Sequence, residues 1–276
     1  MARVGGESGM LEGMTTPTPP TPTPAQHSAG PRPRLLLVAH GTRSSAGRRE
    51  LSRLLLETRK RFAGADGGAR PATTPVECRM AWVDVQTPGP DKVLADGVPT
   101  VVIPAFLARG YHVTEDVAGA CRDAPGPVAL TPHLGAEPEI VRALVQRLAE
   151  SGGTGAFGAD AVVLGAAGSR DEASQAETRE LAATMSEILG VPVTGAFAST
   201  AAPTATDAVA ALRADGHRRI AMLTHLLAPG FFADRLANAG ADLATPPLGA
   251  HPEIIDLLVR RYREYENEVG VDTAGQ

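Results

Sequence analysis

From position 34 onward, short runs of consecutive apolar residues alternate with longer stretches in which apolar residues recur every three or four positions. The runs 35–39, 76–85, 100–106 and 127–130 predict strands, and the stretches 45–62, 90–95, 113–121 and 137–150 predict helices. The same order then returns. Strands are predicted over 161–164, 191–197, 219–223 and 241–245, and helices over 173–189, 204–214, 231–239 and 252–265. Near-continuous apolar strands separated by helices mean parallel sheets covered on both faces.

The two series are copies of one plan. Leu35-Leu36-Leu37-Val38-Ala39-His40-Gly41-Thr42-Arg43 returns as Val162-Val163-Leu164-Gly165-Ala166-Ala167-Gly168-Ser169-Arg170. Gly110-Tyr111-His112 returns as Gly230-Phe231-Phe232, and Thr131-Pro132-His133-Leu134-Gly135-Ala136 as Thr245-Pro246-Pro247-Leu248-Gly249-Ala250. A period of roughly 115–127 residues is far too long for a solenoid and fits a duplicated domain. The expected fold class is therefore α/β, with two similar domains from an internal duplication. Each would be a small parallel sheet flanked by helices, with the active site in the cleft between them. The expected boundaries are a tail over 1–33, a first domain over 34–150 and a repeat domain over 151–276. The Gly-rich stretch 151–158 would serve as linker.

Composition narrows the class. Residues 15–24 are only Thr and Pro, a tract that cannot build a core, so the tail is expected to be disordered. It lacks the apolar run of a signal peptide, and no stretch approaches the roughly 18 apolar residues of a membrane span. A net charge of −5 with a pI near 5.8 argues against nucleic acid as a partner. Cys78 and Cys121 are too few and too far apart for a zinc or iron–sulfur motif and read as reduced thiols of a cytoplasmic protein. No GxGxxG or GxxxxGK[ST] run is present, which disfavours a nucleotide site.

Ligands of parallel α/β sheets bind beyond the carboxyl ends of the strands. His40, Asp84 and His112 fall at or just past the ends of the first three predicted strands. Two imidazoles and a carboxylate suit a divalent first-row metal, and equally suit proton transfer near neutral pH. The repeat acts as an internal control. His40, Asp84 and His112 become Ala167, Ser199 and Phe232, while the glycines, prolines and apolar residues around them persist. What both copies keep is structural, and what only the first keeps is a candidate for function. His133 faces Pro247 in the repeat and is placed to line the same cleft, as is His225 from the other side. Arg43, Arg48, Arg49 and Arg109 gather around the His40 and His112 turns, where they form either a solvated basic face or a rim that pairs with ligand carboxylates.

Three segments together resemble the sirohydrochlorin chelatase family, the class II cobalt and iron chelatases, in its two-domain form. They are Val38-Ala39-His40-Gly41-Thr42-Arg43, Ala81-Trp82-Val83-Asp84-Val85-Gln86-Thr87-Pro88 and Ile103-Pro104-Ala105-Phe106-Leu107-Ala108-Arg109-Gly110-Tyr111-His112-Val113. The resemblance implies insertion of Fe²⁺ or Co²⁺ into sirohydrochlorin, for sirohaem or cobalamin, without ATP and with no permanently bound cofactor. It maps the family's two histidines and acidic residue onto His40, His112 and Asp84, as catalytic groups and metal ligands. The family's acidic position is more often Glu. Arg43, Arg48, Arg109 and His133 would bind the carboxylate-rich macrocycle. The expected partners are sirohydrochlorin and a divalent metal ion, with no nucleic acid and no membrane, and the expected state is a monomer with a pseudo-twofold domain pair. A tetrapyrrole or metal carrier using the same cleft without turnover is the alternative. A histidine phosphatase fits less well, because Ala39 stands where its Arg-His-Gly motif needs arginine.

Overall fold

Two four-stranded parallel sheets carry the chain, with strand orders β2-β1-β3-β4 and β6-β5-β7-β8. The structure, a computed structural model, describes residues 32–65, 75–110, 112–152 and 158–269. The tail as far as residue 31 and the middle of the Gly-rich connector, 153–157, lie outside the described residues. The first half runs β1 (Arg34–Ala39), α1 (Ser45–Ala65), β2 (Cys78–Trp82), α2 (Pro90–Leu94) and β3 (Thr100–Pro104). A π-helical segment (His112–Val117) then leads into α3 (Ala118–Arg122), β4 (Val128–Leu130) and α4 (Pro138–Glu150). The second half runs β5 (Ala161–Ala166), α5 (Glu172–Leu189), β6 (Val193–Phe197) and α6 (Ala205–Ala214). It ends with β7 (Ile220–Thr224), α7 (Phe231–Ala237), β8 (Leu243–Ala244) and α8 (Pro252–Tyr265).

Local chemistry sets the helix ends. Pro90, Pro138 and Pro252 each open a helix, where proline's fixed φ fits and its missing N–H costs nothing. The Asp171 carboxylate accepts from the Ala173 N–H, and the Thr204 hydroxyl from that of Asp207. Gly190, at φ 67°, closes α5 in the left-handed conformation.

The strand side chains alternate between two cores. Leu36 and Val38 face outward with Ala81 and Val102 onto α2, the π-helical segment and α3. Ala161, Val163, Ile220 and Met222 face outward onto α6 and α7. The inward residues Leu35, Leu37, Ile103, Val162, Leu164 and Leu223 belong to one continuous core, which also takes in α1, α4, α5 and α8. The layers are thus helices, sheet, shared helices, sheet, helices. In the shared layer the last helix of each half crosses over: α4 lies against β7 and α8 against β3, and the two touch each other.

Polar contacts across that layer repeat with the same symmetry. Arg260 on α8 donates to Glu139 on α4 at 3.0 Å, and Gln146 on α4 donates to Glu253 on α8 at 3.3 Å. Arg142 also donates to Glu253, at 2.8 Å. Among the described residues no helix is long and apolar enough to cross a membrane.

Two elements differ from the pattern-based expectation. The second strand, expected over 76–85, ends at Trp82, where the chain turns back and the Trp82 N–H bonds the Pro88 carbonyl at 3.0 Å. Asp84 therefore lies on a loop. The helix expected over 113–121 is a π-helical turn followed by one short α-helix.

Candidate functional site

All four strands of the first sheet point the same way, so the loops after them share one rim. His40 follows β1, Asp84 lies two residues past β2, Phe106 and Arg109 follow β3, and His133 follows β4. Because β1 sits between β2 and β3, the order of winding reverses beside His40, the kind of switch point beyond which ligands of parallel sheets bind.

The His40 turn and the Asp84 loop are locked together through the backbone. A Cβ on Gly41 would lie 1.9 Å from the Asp84 carbonyl oxygen, so glycine is required there for the chains to approach. The Thr42 N–H donates to Gln86 Oε1 at 2.8 Å, and the Val83 N–H to the Ala39 carbonyl at 3.1 Å. Asp84 Oδ1 accepts from the Val85 N–H at 2.6 Å, and Val85 takes a left-handed φ of 66°. The exposed His40 ring stands edge-on to Phe106, with centroids 5.5 Å apart. Arg48 Nη1 donates to the Arg43 carbonyl at 2.9 Å and the Thr42 carbonyl at 3.3 Å, pinning the outer side of the turn. Arg43, Arg48 and Arg109 are all exposed. A surface recess of about 510 Å³ beside this turn is lined by Ser45, Arg48, Arg49, Ser52, Arg53 and Leu56.

His112 begins the π-helical segment, an irregularity that recurs at functional sites. Its side chain, and the neighbouring Tyr111, lie outside what the structure describes. His133 Nε2 sits 3.2 Å from Glu177 Oε2, on α5 of the other half, and the same carboxylate accepts from the Arg109 N–H at 2.8 Å. Glu50 on α1 makes the equivalent reach in the opposite direction, accepting from the Ala250 N–H at 2.8 Å. The two rims meet beside His40. A Cβ on Gly47 would lie 2.5 Å from the Pro229 carbonyl, and one on Gly230 would lie 3.5 Å from Ser44 Cβ.

The second half reproduces this frame without its imidazole and carboxylate. A Cβ on Gly168 would lie 1.9 Å from the Ser199 carbonyl, Thr200 has φ 59°, and the Phe197 N–H bonds the Pro203 carbonyl at 3.1 Å. Ala167 and Ser199 thus stand in the places of His40 and Asp84, as the aligned sequences require. Phe197 likewise stands for Trp82. The left-handed residue survives in both copies, which makes it a property of the loop and not of the chemistry.

Three functional candidates escaped sequence reasoning: Phe106 against His40, Gln86 holding the His40 turn, and Glu177 tying His133 to Arg109. Gln86 was detectable, since its counterpart is Ala201 and the internal comparison applies to it as well as to Asp84. His225 does not join the rim. It is buried in the second half, and neither ring nitrogen has a hydrogen-bond partner among the described residues. Cys78 and Cys121 are free thiols whose pKa burial pushes up to about 11.

A family model described as CbiX matches residues 34–151 and again 161–265. No curated protein matches the chain in sequence. Among solved structures, SirB from Bacillus subtilis with Fe³⁺ is similar at a TM-score of 0.65 and 20% identity, covering 86% of this chain and 97% of that one. The sirohydrochlorin chelatase SirB from Bacillus subtilis subspecies spizizenii, in complex with cobalt, is similar at 0.61 and 18%, covering 88% and 97%. A CbiX from denitrifying bacteria, described as the terminal enzyme for biosynthesis of sirohaem, is similar at 0.58 and 20%, covering 84% and 98%. At these identities the structures establish a shared fold.

Proposed function

Because the chain belongs to the CbiX family, whose sirohydrochlorin chelatases its motifs resemble, we propose that it inserts Fe²⁺ or Co²⁺ into sirohydrochlorin. The observation that carries this reading is selective loss. The second half keeps the glycine contact, the left-handed residue and the backbone hydrogen bonds of the loop, yet has Ala167, Ser199 and Phe232 where the first has His40, Asp84 and His112. Structural need does not explain three polar residues that an equivalent frame does without.

Sirohydrochlorin is flat and carries eight carboxylates, and two inner N–H protons must leave as the dication enters. The macrocycle lies between the rims, and Arg43, Arg48 and Arg109 pair with its carboxylates. His133, held by Glu177, steadies the wall that presents Arg109. His40 and His112 present the entering metal, take up the two released protons, or divide those tasks between them, and imidazole can do either near neutral pH. Asp84, fixed through Oδ1, orients an imidazole or adds an oxygen donor to the metal. The first half carries these groups, and the second is a catalytically empty wall.

The test is the absorbance change when sirohydrochlorin and Fe²⁺ or Co²⁺ meet catalytic amounts of protein. Many turnovers per protein are expected; a single stoichiometric uptake would identify a carrier instead. His40→Ala and His112→Ala should each lower turnover by roughly 10²-fold or more, with melting curves like the wild type. Asp84→Glu should keep a measurable fraction. Near-normal rates in either histidine variant would remove the catalytic assignment.

A further inference from the structure

Phe231 and Phe232 are 67% and 41% exposed, although most of the chain's large apolar side chains are buried. They open α7 directly after Gly230, the residue packed against Thr42 and Ser44 of the His40 turn. Their place in the frame is that of Tyr111 and His112 in the first half. The rings meet edge-to-face with centroids 5.5 Å apart, and the Arg235 guanidinium lies over the Phe231 ring, 5.7 Å from its centroid. Two exposed rings, one of them with a cation over it, thus sit on the half that lacks the polar trio, beside the turn that carries His40.

We propose that Phe231 and Phe232 are the second half's contact with the tetrapyrrole, taking its apolar face while Arg235 pairs with a peripheral carboxylate. The proposal rests on the chelatase reading for the identity of the ligand. The chemistry matches: a flat conjugated ring with an anionic edge needs an aromatic surface bordered by a positive charge. It also explains why the repeat has phenylalanine where the first half has histidine. One wall supplies ligands and bases, and the other supplies a surface that does not compete for the metal.

The experiment is a titration of metal-free sirohydrochlorin against wild type, Phe231→Ala/Phe232→Ala, Phe231→Tyr/Phe232→Tyr, Phe231→Leu/Phe232→Leu and Arg235→Gln, followed by absorbance. The exposed positions should leave the melting temperature near wild type in each. The alanine pair should weaken Kd about tenfold or more, equivalent to about 1.4 kcal/mol. The leucine pair should fail similarly, and the tyrosine pair should keep most of the affinity. KM for the metal should not move. Unchanged Kd in the alanine pair overturns the inference while leaving a chelatase that still depends on His40. Weakened Kd in a protein without turnover upholds it and removes the chelatase reading. A wild-type dimer that the alanine pair splits would identify the rings as a self-association surface and also overturn it.

Discussion

His225 occupies the place at the exit of β7 that Ala105 holds at the exit of β3. Its N–H bonds the Gly165 carbonyl at 2.8 Å, as that of Ala105 bonds Val38 at 2.7 Å. Burial of the whole ring without a partner for either nitrogen pushes its pKa down to about 4. In the unfolded chain the ring titrates near 6.5. Between about pH 6.5 and 4 the unfolded state therefore holds a proton that the native state lacks. Stability must fall as pH drops through that window, by on the order of 1 kcal/mol per pH unit. Urea unfolding at pH 7, 6 and 5 should show this slope in the wild type and a shallower one in His225→Ala, whose side chain the first half already accommodates. Equal slopes would show that His225 is not neutral in the native protein. The sequence placed His225 at a strand end but not on a face. One residue of register separates a cleft-facing imidazole from a buried one.

At the scale of elements, the loops after β1 and β2 fold as a unit through Gly41, and those after β5 and β6 through Gly168. Gly41→Ala would push a methyl into a backbone carbonyl, with no flexible side chain to yield, and should displace the Asp84 loop. We expect loss of chelatase turnover and of stability by about 1–3 kcal/mol. Gly168→Ala, at a φ of 98°, should cost stability as well while its folded fraction keeps kcat. Calorimetry with turnover per folded protein separates the two, and equal loss of kcat in both would refute the division of labour. Most strands and helices were legible because apolar period distinguishes them. The end of β2 and the π-helical turn were not, because both depend on hydrogen-bond register, which side-chain pattern does not encode. Gly41 was visible as a turn residue. Its need, the carbonyl of a neighbouring strand's loop, becomes apparent only once the loops are packed together.

For the whole molecule, the crossing of α4 and α8 decides what can stand alone. The apolar face of α4, with Ile140, Ala143, Leu144 and Leu148, is buried in the core that both halves share, where α4 packs on β7. A fragment spanning 34–150 would leave that face and β3 uncovered. It has one good remedy, a second copy whose α4 takes the place of α8. We expect the fragment to fold and chelate only as a dimer, with rate per subunit rising with concentration in step with the sedimenting mass. Full activity from a monomeric fragment would show that the second half is dispensable. This exchange was not legible in the sequence, since an apolar stripe on a helix does not say which sheet it covers. The duplication and the residues it lost were legible, and they identified the candidate site.

Where the described chain starts and where it finishes also touch. The Tyr262 hydroxyl donates to the Pro33 carbonyl at 2.7 Å, the Arg32 guanidinium lies 5.7 Å from the Tyr262 ring, and Arg32 pairs with Glu266 at 3.3 Å. The path through the two halves is therefore nearly a closed circle, cut at one point and bridged at the opposite one by the connector after α4. Which half is translated first is immaterial to the packing. A circular permutant opened in that connector, with a short link from Glu266 to Arg32, would present every layer in the same place with the half that carries His40 last.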